Sequence, residues 1–199
     1  MGKTTLRLEL PSDPRWVNIA EKNIQNILVD HAFCEQKAAS NAISIIIQFP
    51  QYTDLVKDMT AICIEEMEHF EMVHNKLLDR GLKLGFERKD PYVNDLMKFL
   101  KKNISGTKEC QFVNQMLFAA MIEARSCERF KILSEKLTDQ DLKEFYRNLM
   151  ESEARHYTTF LKYARKYATS IDVEKRWQDL LSFEGSLMKA YGTNETIHG

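Results

Sequence analysis

The pattern Glu-x-x-His occurs twice in this chain, at Glu66 with His69 and at Glu153 with His156. Residues three apart on a helix share one side, so each pair can aim a carboxylate and an imidazole at one metal ion. Two further glutamates, Glu35 and Glu123, sit at matching places in other apolar stripes. A carboxylate in an apolar interior costs several kcal/mol unless something pairs with it. Four carboxylates can bridge two divalent cations, and the imidazoles favour iron or manganese over calcium or magnesium. The candidate metal ligands, and through the metals the catalytic residues, are therefore Glu35, Glu66, His69, Glu123, Glu153 and His156.

The elements needed to position these groups are readable from period and breakers. Helix one is expected from Pro14 to Phe49, with Ser12 as N-cap and Pro50 as its stop. Helix two is expected from Thr53 to Arg80, followed by Gly81 as a C-cap. A connection runs from Leu82 to Gly106, with a short helix around Tyr92 to Lys102. Helix three spans Glu109 to Glu135, and Thr138 caps a fourth helix reaching Tyr167, with Asp141 completing a capping box. A last amphipathic helix covers Asp172 to Tyr191, with Trp177, Leu180, Leu181, Glu184, Leu187 and Met188 at helical spacing. The tail from Gly192 to Gly199 is expected to fray.

Each bundle helix carries one stripe stepping by three or four residues. The stripes are Ile24, Leu28, His31, Glu35, Ala38, Ala42, Ile45 and Phe49; then Leu55, Met59, Ile62, Glu66, His69, Val73 and Leu77. The third helix offers Phe112, Met116, Ala119, Glu123, Cys127 and Phe130, and the fourth Leu142, Phe145, Leu149, Glu153, His156, Phe160 and Tyr163. Glu35 lies fifteen residues before Pro50 and Glu66 fifteen after Gln51; Glu123 and Glu153 are equidistant from Thr138. At about 1.5 Å per residue, the carboxylates of one antiparallel hairpin share a level about 22 Å from its turn. The offset between hairpins is 88 residues for Glu35 to Glu123 and 87 for Glu66 to Glu153. Two such hairpins packed face to face would gather the donor set of dinuclear carboxylate bundles.

Composition agrees with one soluble domain, 1–199. The chain has 199 residues, 44% apolar, with only 7 Gly and 4 Pro, which suits long helices and short connections. Net charge is −1, so there is no global pull toward nucleic acid or membrane, although a local basic patch is compatible with it. No apolar stretch is long enough to cross a bilayer, and the N-terminus has no secretory pattern, which points to the cytoplasm. Cys34, Cys63, Cys110 and Cys127 form no C-x-x-C pair and read as reduced, buried, small apolar side chains.

The segments DHAFCEQKAAS (Asp30 to Ser40), EEMEHFEMV (Glu65 to Val73), IEARSCERF (Ile122 to Phe130) and SEARHYTTFL (Ser152 to Leu161) resemble the tRNA hydroxylases acting on 2-methylthio-isopentenyl-adenosine. The resemblance covers Pro14 to Tyr167 and implies an all-α, ferritin-like four-helix bundle of two antiparallel hairpins, plus a C-terminal helix. It implies a non-haem di-iron monooxygenase that hydroxylates the isopentenyl side chain beside the anticodon. Carried over by motif, the six residues named above hold two iron ions, with manganese as the alternative metal. The implied partners are O2 as co-substrate, tRNA, and a separate ferredoxin or reductase, because no flavin or nicotinamide fingerprint is visible. Another ferritin-like activity, such as a peroxidase, ferroxidase or iron store, is the competing reading.

Other residues read as structural. His31, one turn before Glu35, reads as a hydrogen-bonded core histidine, or as a partner of that ligand. His74 and His198 are expected to be exposed, and Glu65, Glu68 and Glu71 to form a solvated face. Arg125, Arg129 and Arg155 read as structural ion pairs, and Ala38, Ala39, Ala42, Ala119 and Ala120 as close helix packing. Candidate phosphate contacts are Arg88 with Lys89, Lys98 with Lys101 and Lys102, and Lys162 with Arg165 and Lys166. Tyr92 or Trp177 could stack on a base.

Overall fold

The computed structural model describes residues 5–102, 106–191 and 194–198. Among them every regular element is helical: a 3-10 turn at Thr5–Arg7, then α1 (Trp16–Lys22), α2 (Ile24–Gln48), α3 (Thr53–Leu78), α4 (Pro91–Lys102), α5 (Lys108–Lys136), α6 (Gln140–Tyr167) and α7 (Val173–Tyr191). No described helix is long and apolar enough to cross a membrane. Contacts divide the chain into two compact units. One holds residues up to 21, 90–194 and 198; the other holds 22–89 and 195–197.

The second unit is the hairpin of α2 and α3. The buried residues of α3 are Leu55, Met59, Ile62, Glu66, His69, Val73 and Leu77, the expected stripe without addition. On α2, Leu28, His31, Glu35, Ala42, Ile45 and Phe49 are buried, while Ile24 and Ala38 are only half-buried. After α3 the chain reverses through Gly81, whose φ of 68° belongs to the left-handed region, and Leu82 N–H donates to Leu77 O at 2.9 Å.

The expected first helix is corrected: it breaks at Asn23 (φ −132°, ψ 37°) into α1 and α2. No Gly or Pro marks the break, and Asn, whose side chain competes for backbone hydrogen bonds, is among the weaker helix formers. Ser12 does not cap it. Its backbone N–H and hydroxyl both donate to Glu128, at 2.9 and 2.6 Å, and Asp13 instead accepts from Arg15 N–H.

In the first unit, α5 packs against α6, α4, α7 and the N-terminal turn. Nineteen of its 29 residues are buried, so its apolar period described only one of several covered faces. Thr107 caps α5, its hydroxyl oxygen accepting from Cys110 N–H at 3.1 Å. The cap of α6 is Asp139, which accepts from Leu142 N–H, and not Thr138. The turn between α6 and α7 wraps the Glu109 carboxylate, which accepts from the backbone of Thr169, Ser170 and Ile171 and from both hydroxyls.

The frayed tail is also corrected. Thr196, Ile197 and His198 are buried, and Trp16 Nε1–H donates to Asn194 O at 2.8 Å. In the second unit, Ile197 N–H donates to Asp30 at 2.7 Å. In the first, His198 lies 3.2 Å from Asp90 and 3.1 Å from the Ser126 hydroxyl, with its ring stacked on Tyr92. Gly192, Thr193 and Gly199 lie outside the described residues, as do residues 103–105 of the connection and the side chain of Lys102.

Candidate metal centre

Each hairpin carries one half of the expected donor set. In the second unit, α2 supplies Glu35 and α3 supplies Glu66 and His69, whose donor atoms all lie within 4.8 Å of one another. All three are buried, Glu66 completely. His69 Nδ1 faces Glu66 Oε2 at 3.2 Å, the geometry that i and i+3 spacing allows. His31, fully buried, holds the other side of Glu35: its Nε2 lies 2.5 Å from Glu35 Oε1, so the imidazole N–H donates to the carboxylate. His31 is a buried, hydrogen-bonded histidine, and its partner is Glu35.

The first unit repeats the arrangement. Glu123 on α5 and Glu153 with His156 on α6 bring donor atoms within 4.8 Å of one another, all three residues being buried. His156 Nδ1 lies 3.9 Å from Glu123 Oε2. In both halves Nδ1 is the imidazole nitrogen turned toward the carboxylates. Two carboxylates converging away from water repel one another, and a divalent cation between them turns that repulsion into attraction. The oxygen-rich set with one imidazole per half fits iron or manganese.

Cys127, one turn after Glu123, lies outside both donor groups. Its thiol donates to Met150 O, and burial, reinforced by Glu153 and Glu128, pushes it up to about 12. Cys110 is buried too, whereas Cys34 and Cys63 are only half-buried, which corrects the expectation for those two.

Other residues fall elsewhere. Glu68 and Glu71 are exposed and Glu65 is half-buried. His74 is half-buried against Phe70, and His198, at 2% exposed, is corrected from a surface to a buried histidine. Arg155 is exposed. Arg125 is a structural ion pair: fully buried, it meets Glu184 at 2.6 Å and Glu128 at 3.0 Å, and donates to Leu10 O and the Ser12 hydroxyl. Tyr92 donates to the same Glu184 at 3.0 Å. Arg129 lies 3.9 Å over the Trp16 ring, and burial brings its guanidinium down to about 9. The stacking role suggested for Tyr92 and Trp177 is corrected, since they are 0% and 1% exposed. Among the basic clusters, Arg165 pairs with Glu174 and Lys98 with Asp95.

An ion pair at Arg125 is expected from the sequence, but its partners Glu184 and Glu128 are not, nor are the Asp90–His198–Ser126 contacts. Glu184 carried a usable signal, because it interrupts the apolar stripe of the last helix as the ligands interrupt theirs. Nothing in the spacing of Asp90, Ser126 and His198 would have joined them.

An all-α chain with these two hairpins is ferritin-like in fold. A similar solved structure is described as protein 43 with aldehyde deformylating oxygenase activity, from Synechococcus; its TM-score is 0.85 at 28% identity, covering 96% of this chain and 95% of that one. Residues 3–199 match the family described as tRNA-(MS[2]IO[6]A)-hydroxylase (MiaE), and the chain belongs to that family. Two curated relatives are each named tRNA 2-(methylsulfanyl)-N(6)-isopentenyladenosine(37) hydroxylase. The one from Pseudomonas putida is 34% identical over 168 residues, covering 84% of this chain and 80% of its own length. The one from Salmonella typhimurium is 26% identical over 218 residues, covering 85% of this chain and 78% of its own.

Proposed function

We propose that this chain hydroxylates the isopentenyl side chain of 2-methylthio-isopentenyl-adenosine in tRNA. The observation that carries this reading is family membership across residues 3–199, together with a buried Glu, Glu, His set in each hairpin. In this reading the whole chain acts as one domain in the cytoplasm. Glu35, Glu66 and His69 with Glu123, Glu153 and His156 hold a pair of iron ions. Bound iron supplies the chemistry that side chains lack, reductive use of O2 with two electrons from a separate donor protein.

The chain's own groups do the rest. The Glu carboxylates would offset the metal charge, and each imidazole, whose Nδ1 is turned toward the carboxylates of its own hairpin, would add a nitrogen donor. His31 fixes the Glu35 carboxylate by donating Nε2–H. Within each hairpin the apolar residues along the ligand stripe are buried, Ile62 on α3 and Met116, Leu149 and Phe160 on α5 and α6, which would keep water from the carboxylates.

The test is nucleoside analysis of tRNA from cells lacking this gene. Hydroxylated isopentenyl-adenosine should vanish, return with the wild-type chain, and stay absent with Glu66→Ala. Unchanged hydroxylated nucleoside in the deletion strain would overturn the assignment.

A further inference from the structure

We propose that the segment from Gly81 to Lys89 is an RNA-contact surface, with Phe86 stacking on an unpaired base and Lys83, Arg88 and Lys89 meeting phosphates. This rests on the tRNA reading above and adds the place where the nucleic acid is gripped. Phe86 is 95% exposed. The other exposed large apolar residues among those described, of which Ile47 is next at 72%, all sit on α2 and α3. Phe86 alone stands on a connecting segment, beside three exposed cations.

The backbone there is built rather than slack. Gly81 and Gly85 both take positive φ, 68° and 70°, and a Cβ at either would meet nothing within 4 Å. Glycine is therefore used for the turn it allows and not for close packing. Immediately after Phe86, Glu87 pairs with Lys37 at 2.8 Å and Arg88 donates to Glu195 O at 3.3 Å. The chain is thus tied immediately after a ring that stands in water. The Lys37 pairing also offsets the one acidic side chain of the segment between Leu82 and Lys89.

A single ring among charges is not the apolar patch that a protein partner of ordinary interface size would need. A flat π-face joined to anionic groups is its complement, and an unpaired nucleotide has both. Arg88 spends one of its five donors on Glu195 O, and Lys83 and Lys89 are exposed on the same segment. The charge is local, which suits a chain whose net charge is only −1.

The experiment is fluorescence anisotropy of the full-length protein with an unmodified anticodon stem–loop RNA. Phe86→Ala should weaken binding about tenfold, and Phe86→Trp should restore it. Lys83→Gln with Lys89→Gln should weaken binding and flatten the slope of log affinity on log salt by about 1.4. Melting temperature and metal content should not move, since all three residues are exposed. Phe86→Ala binding within twofold of wild type would overturn the surface, even where cellular tRNA hydroxylation shows the enzyme reading to hold. Wild-type protein that binds no RNA overturns both. Loss of self-association or of binding to anionic phospholipid vesicles in Phe86→Ala, with RNA affinity unchanged, assigns the ring to another partner and overturns the proposal.

Discussion

Arg125 holds two carboxylates that would otherwise be buried charges without a counterion. Replacing it by Met keeps much of the volume and removes the cation, which should destabilise the protein by about 3–5 kcal/mol at neutral pH in urea unfolding. The loss should depend on pH, with a definite sign. Burial raises the Glu184 carboxyl, and Arg125 opposes that rise. Without Arg125 the raised group holds its proton further into the neutral range. A raised carboxyl binds more protons folded than unfolded, so it costs stability as pH climbs past the ordinary carboxylate range. Arg125→Met should therefore lose less relative to wild type at pH 5 than at pH 8; an equal loss at both would show that packing, not charge, is what Arg125 provides. The same residues show what sequence can and cannot reveal. Glu184 broke an apolar stripe just as Glu66 did, yet one meets a guanidinium and the other a second carboxylate and an imidazole. The Glu-x-x-His repeat separated the two cases, because it fixes the imidazole partner by spacing, whereas Arg125 is 59 residues from Glu184.

At the scale of elements, the α6–α7 turn depends on a side chain from elsewhere. The backbone N–H groups of Thr169, Ser170 and Ile171 all point at Glu109, and the hydrogen bonds from Ser170 and Thr169, backbone and hydroxyl, bring its carboxyl down to about 2. A depressed carboxyl stabilises the fold above its unfolded value and loses that contribution as pH falls from about 4.5 to about 2. Glu109→Gln should weaken the acid dependence in that window and speed amide exchange at residues 169–171, measured by hydrogen–deuterium exchange. Unaltered exchange there would mean that the turn stands without the carboxylate. Helix existence was largely legible, and helix edges less so. On α3 the apolar period names every buried residue, because α3 covers one face only. On α5 the same method finds six of nineteen, because α6, α4, α7 and the N-terminal turn cover it from several sides. Caps slipped by one residue, Thr138 for Asp139, since both types cap well and only the local dihedrals choose.

For the whole molecule, the proposed metals are a thermodynamic link as well as a catalyst. Anything that binds the folded chain alone raises its stability by mass action, about 2.7 kcal/mol at a hundredfold excess over Kd. For about 200 residues that corresponds to a rise of about 5–10 °C in Tm. Anaerobic Fe2+ should produce that rise in the wild-type protein and not in the Glu35→Ala, Glu123→Ala double variant, read by differential scanning calorimetry. A metal-independent Tm in the wild type would count against the ligand set while leaving family membership intact. At this scale the motifs were more informative than the composition, whose near-zero charge pointed to no partner at all. The C-terminal residues were misread because a short polar tail has no period, while its anchors, Asp30, Asp90 and Ser126, are fixed only once the chain has folded.

The two thiols of α5 lend themselves to a different use. Cys110 is buried and Cys127 is held protonated by its surroundings, so neither offers a nucleophile to an alkylating reagent in the native state. The labelling rate of Cys127, whose thiol donates to Met150 O on α6, then times the transient opening of the α5–α6 pair, and peptide mapping tells it from the other three thiols. The protein carries a native clock for its own breathing, with no probe to be engineered.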